Sequence, residues 1–200
     1  MYPYYVEVDG KRYRINTDFR CAIRCNEIAL DDTIGDFERA LAIIYTLFGQ
    51  EGIDAPEHYN KLLELAQKYL LCGKEPDKSN EKPDMDFIED YSYIKTSFRS
   101  DYGIKLDEEN MHWWEFMELM NGLSNSEFGN CCVLNKVRNL RNYDTKDIKD
   151  VKLKQKINEA KKKVALKRYQ KKVEHTQEQR ERVNELLKQL GIREEWYYGQ

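Results

Sequence analysis

Three histidines, five cysteines and one acidic cluster are the side chains in this 200-residue chain best suited to chemistry, and their spacing decides what they can do. His58, His112 and His175 each stand without a partner at metal-ligand or catalytic-triad spacing. His112, followed by Trp113-Trp114-Glu115, suits a helix start where the imidazole makes a local polar contact beside a packed indole. His175 lies among charged residues and is expected at the surface. Cys21 and Cys25 would sit one helical turn apart, half of a metal site, but Cys131 and Cys132 diverge by about 100° on another helix. No second cysteine pair has zinc-knuckle spacing. With Cys72 the cysteines are odd in number, so buried free thiols are expected rather than a disulfide framework. Asp84, Asp86, Glu89 and Asp90 lack the loop length and central glycine of a calcium hand and read as favourable charge at a helix N-terminus. No nucleophile elbow, phosphate-binding loop, dinucleotide fingerprint or zinc-protease motif occurs. The chain therefore reads as a protein-binding protein rather than an enzyme, with no cofactor or metal expected.

Charge supplies the other candidate. The formal net charge of -3 hides an asymmetry: residues 1–140 hold 16 Lys and Arg against 26 Asp and Glu, whereas residues 141–188 hold 16 against 8. Lys161, Lys162, Lys163, Lys167, Arg168, Lys171 and Lys172 form a basic patch able to contact phosphates in a nonspecific, salt-dependent way. These charges recur all round a helix instead of marking one groove-facing stripe, and the acidic residues before them would repel a duplex. Nucleic-acid binding is thus the lesser reading. A solvated helix, or one paired with an acidic protein surface such as the first 140 residues of another copy, accounts for the same charges.

The elements that must position these residues are mostly helical. Residues 4–8 and 11–15 around Asp9-Gly10 read as a β-hairpin, because Asp-Gly supplies the positive φ angles of a tight turn. Val6 then falls opposite Tyr13, and Tyr4 opposite Ile15, on one face that should rest on helices. Asn16-Thr17-Asp18 offers caps for a helix with Phe19, Ala22, Ile23 and Ala29 or Leu30 inward. Phe37, Leu41, Ile44 and Phe48 mark a buried helix ended by Gly49, and Pro56 opens another that carries Tyr59, Leu62, Leu63, Ala66, Leu70 and Leu71. The 73–84 stretch, with two prolines and no apolar period, is a solvated loop and a subdomain boundary within one shared core. Beyond it, Phe87, Tyr91, Ile94 and Phe98 start a further helix. Asp107 is placed to cap a second, with Trp113, Phe116, Met120 and Leu123 on one stripe. Ser124 and Glu127 form a capping box for a third, with Phe128, Cys131, Leu134 and Val137 or Arg138 inward.

From about Asp147 the apolar periodicity thins. Helix formers without proline suggest a helix of roughly 35 to 40 residues, some 55 Å long, that protrudes or folds back. Val183, Leu186, Leu187 and Leu190, then Trp196-Tyr197-Tyr198, restore apolar surface at the end. The expected fold is mainly α: an N-terminal β-hairpin packed on a compact bundle of about six helices, then a long basic C-terminal helix. Residues 1–145 form the hairpin and bundle, and residues 146–200 the charged extension. No apolar run approaches the roughly 18 to 20 residues of a membrane span, and residues 1–5 lack the features of a signal peptide, so the expected compartment is the cytoplasm.

The stretch from Met111-His112-Trp113-Trp114-Glu115-Phe116 to Leu123, preceded by Ser97-Phe98-Arg99-Ser100-Asp101-Tyr102-Gly103-Ile104-Lys105-Leu106, resembles the signature of the bacteriophage gene-product-fifteen family. Asp18-Phe19-Arg20 and Val137-Arg138-Asn139-Leu140 are similar in placement to weaker family features, so the resemblance spans residues 12 to 170. Members of that family occur in phages and prophages of Gram-positive bacteria, encoded between the major tail protein and the tape measure protein of long non-contractile tails. The resemblance implies a tail assembly chaperone in the host cytoplasm. It would bind the tape measure protein, help recruit the major tail protein, and be absent from the mature virion. A structural tail component and a nucleic-acid-binding phage protein are the alternatives. Trp113, Trp114, Phe116 and Leu123 are then either core residues or a binding surface. Leu186, Leu187, Leu190, Trp196, Tyr197 and Tyr198 are candidate exposed anchors for a client or another copy.

Overall fold

The computed structural model describes residues 1–76, 82–126 and 130–169. Met1–Leu166 forms one compact unit. The second unit, Lys167–Gln200, lies outside the described residues apart from residues 167–169, so Lys171, Lys172, His175, Leu186, Leu187, Leu190, Trp196, Tyr197 and Tyr198 cannot be placed.

The hairpin pairs β1 (Tyr5–Val8) with β2 (Lys11–Arg14) antiparallel, Val6 opposite Tyr13. Asp9 at φ 50° and Gly10 at φ 81° make the expected turn. Val8, Tyr13 and Ile15 are buried, and the Asn16 amide donates to Leu47 O at 2.7 Å, so the inner face rests on helix as expected. Tyr4 pairs through its carbonyl with the Ile15 amide, but its ring is exposed rather than inward, edge-on to His112 at 5.2 Å.

The bundle begins with α1 (Phe19–Ala29), capped by Asp18, whose carboxylate accepts from the Arg20 amide at 2.8 Å. Ile28 is buried, whereas neither Ala29 nor Leu30, one of which was expected inward, is covered, because the helix stops at Ala29 and Leu30 turns out at the corner. Helix α2 (Asp36–Ile53) does not end at Gly49: that residue adopts φ 65°, ψ -157°, kinks the helix, and lets it resume to Ile53. Ile43, Ile44, Leu47 and Phe48 are buried, but Phe37 is exposed, since the first turn of α2 is uncovered by other elements. A single 3₁₀ turn, Pro56–His58, leads into α3 (Tyr59–Leu70), which buries Leu62, Ala66 and Tyr69.

Across the 73–84 loop the same core continues. Helix α4 (Tyr91–Tyr102) starts one turn later than the Phe87 stripe suggests, and Gly103 at φ 71° ends it in the left-handed conformation that glycine adopts without strain. Helix α5 (Trp113–Asn121) is capped not by Asp107 but by His112, whose Nδ1 accepts from the Trp114 amide at 3.0 Å. Asp107 instead pairs with Lys95. Helix α6 (Val133–Asn142) begins after the proposed capping box, with Cys132 Sγ accepting from the Asn135 amide at 3.4 Å. Ser124 serves elsewhere: its amide donates to Asp101 Oδ2 at 2.8 Å. Helix α7 (Val151–Val164) is capped by Asp150 and is 14 residues long. Ala165 is extended, so the terminal helix is present but the 35- to 40-residue continuous rod is not.

Candidate protein-binding surface

The most distinctive residues of the sequence are built into the core. The Trp113 amide donates to Thr17 O at 2.8 Å and the Phe19 amide to Met111 O at 3.0 Å, stitching 17–19 to 111–113 in a short antiparallel bridge. Phe116 stacks between Phe19 (4.7 Å, 7°) and Phe98 (5.1 Å, 13°), with Trp113 5.6 Å away. Arg20 pairs with Asp18 and reaches across to Leu106 O and Glu109 O at 2.6 and 2.8 Å. Trp113 is 1% exposed and donates its Nε1 hydrogen to Leu70 O, so in this arrangement it offers no outward face. Trp114 is half-buried, bonded to Tyr69 O at 2.9 Å and stacked on the Tyr69 ring. Leu123 is buried.

The polar members of the same stretches hold backbone. Ser97 Oγ accepts from the Leu134 amide, Tyr102 donates to Leu119 O, and Asp101 receives the Ser124 amide, a bond that holds its carboxyl below the usual carboxylate range. A carboxyl lowered by folding stabilises above its unfolded pKa, and that gain is lost as pH falls through the folded value. The stability margin of the native protein over Asp101→Asn should therefore be constant near neutrality and shrink below about pH 4, as read from urea midpoints across that range.

The acidic cluster is satisfied internally. Asp90 takes a two-pronged ion pair from Arg141 at 2.7 Å on both oxygens, Asp86 accepts from the Ile88 and Glu89 amides, and Asp84 pairs with Arg138 at 3.1 Å. Arg141 also donates to Asp84 O at 2.8 Å and to Val164 O at 2.6 Å, locking the C-terminal end of α7 onto α6. Among the described residues no group of three His, Cys, Asp or Glu could hold a metal. Burial pushes the Cys25 thiol up to about 12 and raises Cys21 and Cys72, which keeps all three protonated and poorly nucleophilic at neutral pH. His58 Nδ1 meets the Tyr13 hydroxyl at 2.6 Å. His112 Nε2 donates to Pro3 O at 3.0 Å, and the Tyr2 ring stacks on it at 4.8 Å, so the N-terminal arm seals the start of α5. That contact had no local signal, because residues 3 and 112 meet only in the folded chain. Of the basic patch, Lys162 and Lys163 are exposed on α7, Lys161 donates to Tyr143 O at 2.5 Å, and Lys167 and Arg168 follow the helix.

Free surface lies elsewhere. A groove of about 1020 Å³ runs between the hairpin, the kinked end of α2 and residues 110–112. Ile15, Leu47, Phe48 and Met111 line it but are each no more than 8% exposed, beside polar Arg14, Asn16, Asp18, Gln50 and Glu51, whereas Tyr4 and Tyr45 are its exposed aromatic side chains. Sequence periodicity missed it, since its walls come from three distant segments. At the corner between α1 and α2, Leu30 and Phe37 are also exposed.

No helix among the described residues is long and apolar enough to cross a membrane. The fold and its internally committed polar groups define a mainly helical protein fronted by an antiparallel β-hairpin. Residues 2–166 match the family described as Bacteriophage Gp15 protein, and the chain belongs to that family. Membership supports a structural or accessory role in a phage. No curated protein and no solved structure matches the chain.

Proposed function

We propose that this protein is a non-catalytic tail assembly chaperone that holds an apolar helical segment of the tape measure protein and assists assembly of the tail tube. The observation that carries this reading is the groove, which presents the exposed rings of Tyr4 and Tyr45 in a protein whose acidic cluster and His112 are committed to its own fold. A tape measure protein presents long amphipathic helices that self-associate when uncovered. A groove with aromatic rims covers such a stripe, because tyrosine offers broad contact area with little rotamer entropy and keeps its hydroxyl in water. Leu186, Leu187, Leu190 and the Trp196-Tyr197-Tyr198 tail are a second contact for the same client. The protein acts in the host cytoplasm and leaves before the virion is complete.

Replacing Tyr4 and Tyr45 together with alanine should weaken capture of the co-expressed tape measure protein by roughly 10- to 100-fold while leaving the melting temperature unchanged. Pull-down and the soluble client fraction read the first, and circular dichroism the second. Client solubility that survives both this change and deletion of residues 183–200 would overturn the reading. So would stoichiometric protein in purified virions, which would mark a structural component.

A further inference from the structure

We infer that copies of this chain associate head to tail, the acidic α1–α2 corner of one copy seating on the basic first turns of α7 in the next. Both surfaces lie in the Met1–Leu166 unit, and neither uses the groove, so the inference stands apart from the proposed client site. At the corner Phe37 is 65% exposed and Leu30 50%. From Glu27 to Glu38 the chain carries five carboxylates, Glu27, Asp31, Asp32, Asp36 and Glu38, and no cation. Flanking arginines answer two of them, Arg24 on Glu27 and Arg39 on Asp36, both at 2.6 Å, which leaves the corner negative.

Helix α7 is the opposite case. None of its residues is fully buried, and Val151 is 67% exposed and Leu153 48%. Between Lys146 and Val164 the chain holds eight lysines against three carboxylates. Lys156, exposed, lies three residues on from Leu153 and so on the same face of the helix.

A single exposed apolar residue is ordinary. Here exposed apolar residues at two places are fringed by opposite charge on one chain, and that decides how they pair. Corner on corner or α7 on α7 would set like charges face to face, whereas corner on α7 brings carboxylates to lysines and apolar groups to apolar groups. Two different patches meeting make a heterologous contact, which repeats into a ring or an open chain.

Light scattering of the full chain across protein concentration should give a mass that rises in about 50 mM salt and falls toward the monomer in about 500 mM. Phe37→Asp and, separately, Val151→Asp with Leu153→Asp should each be monomeric. Aspartate is tolerated in the first turn of a helix, so all these positions keep their fold, which circular dichroism checks. Mixing the two variants should restore a dimer and nothing larger, because each retains the one face the other lacks. Three results would overturn the inference: a monomeric native chain at every concentration in low salt, association untouched by the substitutions, or a mixture that stays monomeric.

Discussion

Replacing Arg141 with methionine should lower the unfolding free energy by about 3–5 kcal/mol, the loss expected when one partner of a buried ion pair is removed. The side chains of Arg141 and Asp90 are 10% and 1% exposed, so the orphaned carboxylate would have neither water nor a cation to replace the two 2.7 Å bonds. The same guanidinium holds Asp84 O and Val164 O, so the 84–90 turn and the end of α7 loosen with it. Small domains have about 5–15 kcal/mol in total, so the variant approaches the unfolding threshold. Urea denaturation followed by tryptophan fluorescence reads the change. Two controls separate burial from charge. Arg138→Met, which breaks a pair whose partners are 37% and 28% exposed, should cost no more than about 1 kcal/mol. Arg141→Met combined with Asp90→Leu should recover part of the loss, because the orphaned carboxylate is gone, while the buried Asp86 amide that donates to Asp90 at 3.0 Å loses its acceptor.

Phe116→Ala should cost a similar 3–5 kcal/mol, through the transfer free energy of a fully buried ring and the cavity left behind. The position is central: its ring stacks on Phe19 from α1 and Phe98 from α4 and lies beside Trp113, so three elements lose a shared neighbour at once. Phe116→Leu, which keeps most of the volume, should cost under about 1.5 kcal/mol. Equal losses for the two variants would mean that ring stacking in the column, rather than buried apolar volume, carries the contribution.

How much of this was legible in the sequence depended on range. The hairpin was, because Asp9-Gly10 encodes its own turn, and so was α1, because Asp18 caps the helix it precedes. Of the inward residues expected for α3, Leu62 and Ala66 are buried and Tyr59, Leu63, Leu70 and Leu71 half-buried, while the buried Tyr69 was missed. Phe37 was misjudged because periodicity tells which side of a helix is apolar, not how far its neighbours extend. His112 was placed at a helix start with a local polar contact, as found, but the cap was given to Asp107, the chemically commoner choice, and only the folded structure brings Thr17 and Pro3 to the 111–113 strand. Of the box proposed at Ser124, the Ser124 amide is held by Asp101, and Glu127 lies outside the described residues. Trp113 and Trp114 were ambiguous in principle, because a core and an interface both select large aromatic rings. The Arg141–Asp90 pair spans 51 residues and left no local trace, and neither did the groove, whose walls are equally scattered.

The N-terminal arm has a practical consequence at the bench. Tyr2 donates to Glu118, Pro3 receives His112, and Tyr4 stands at the mouth of the groove, all within the first four residues. A purification handle fused ahead of Met1 would tug on the latch of α5 and crowd the opening a client must enter. Affinity measurements made with such a fusion would understate binding.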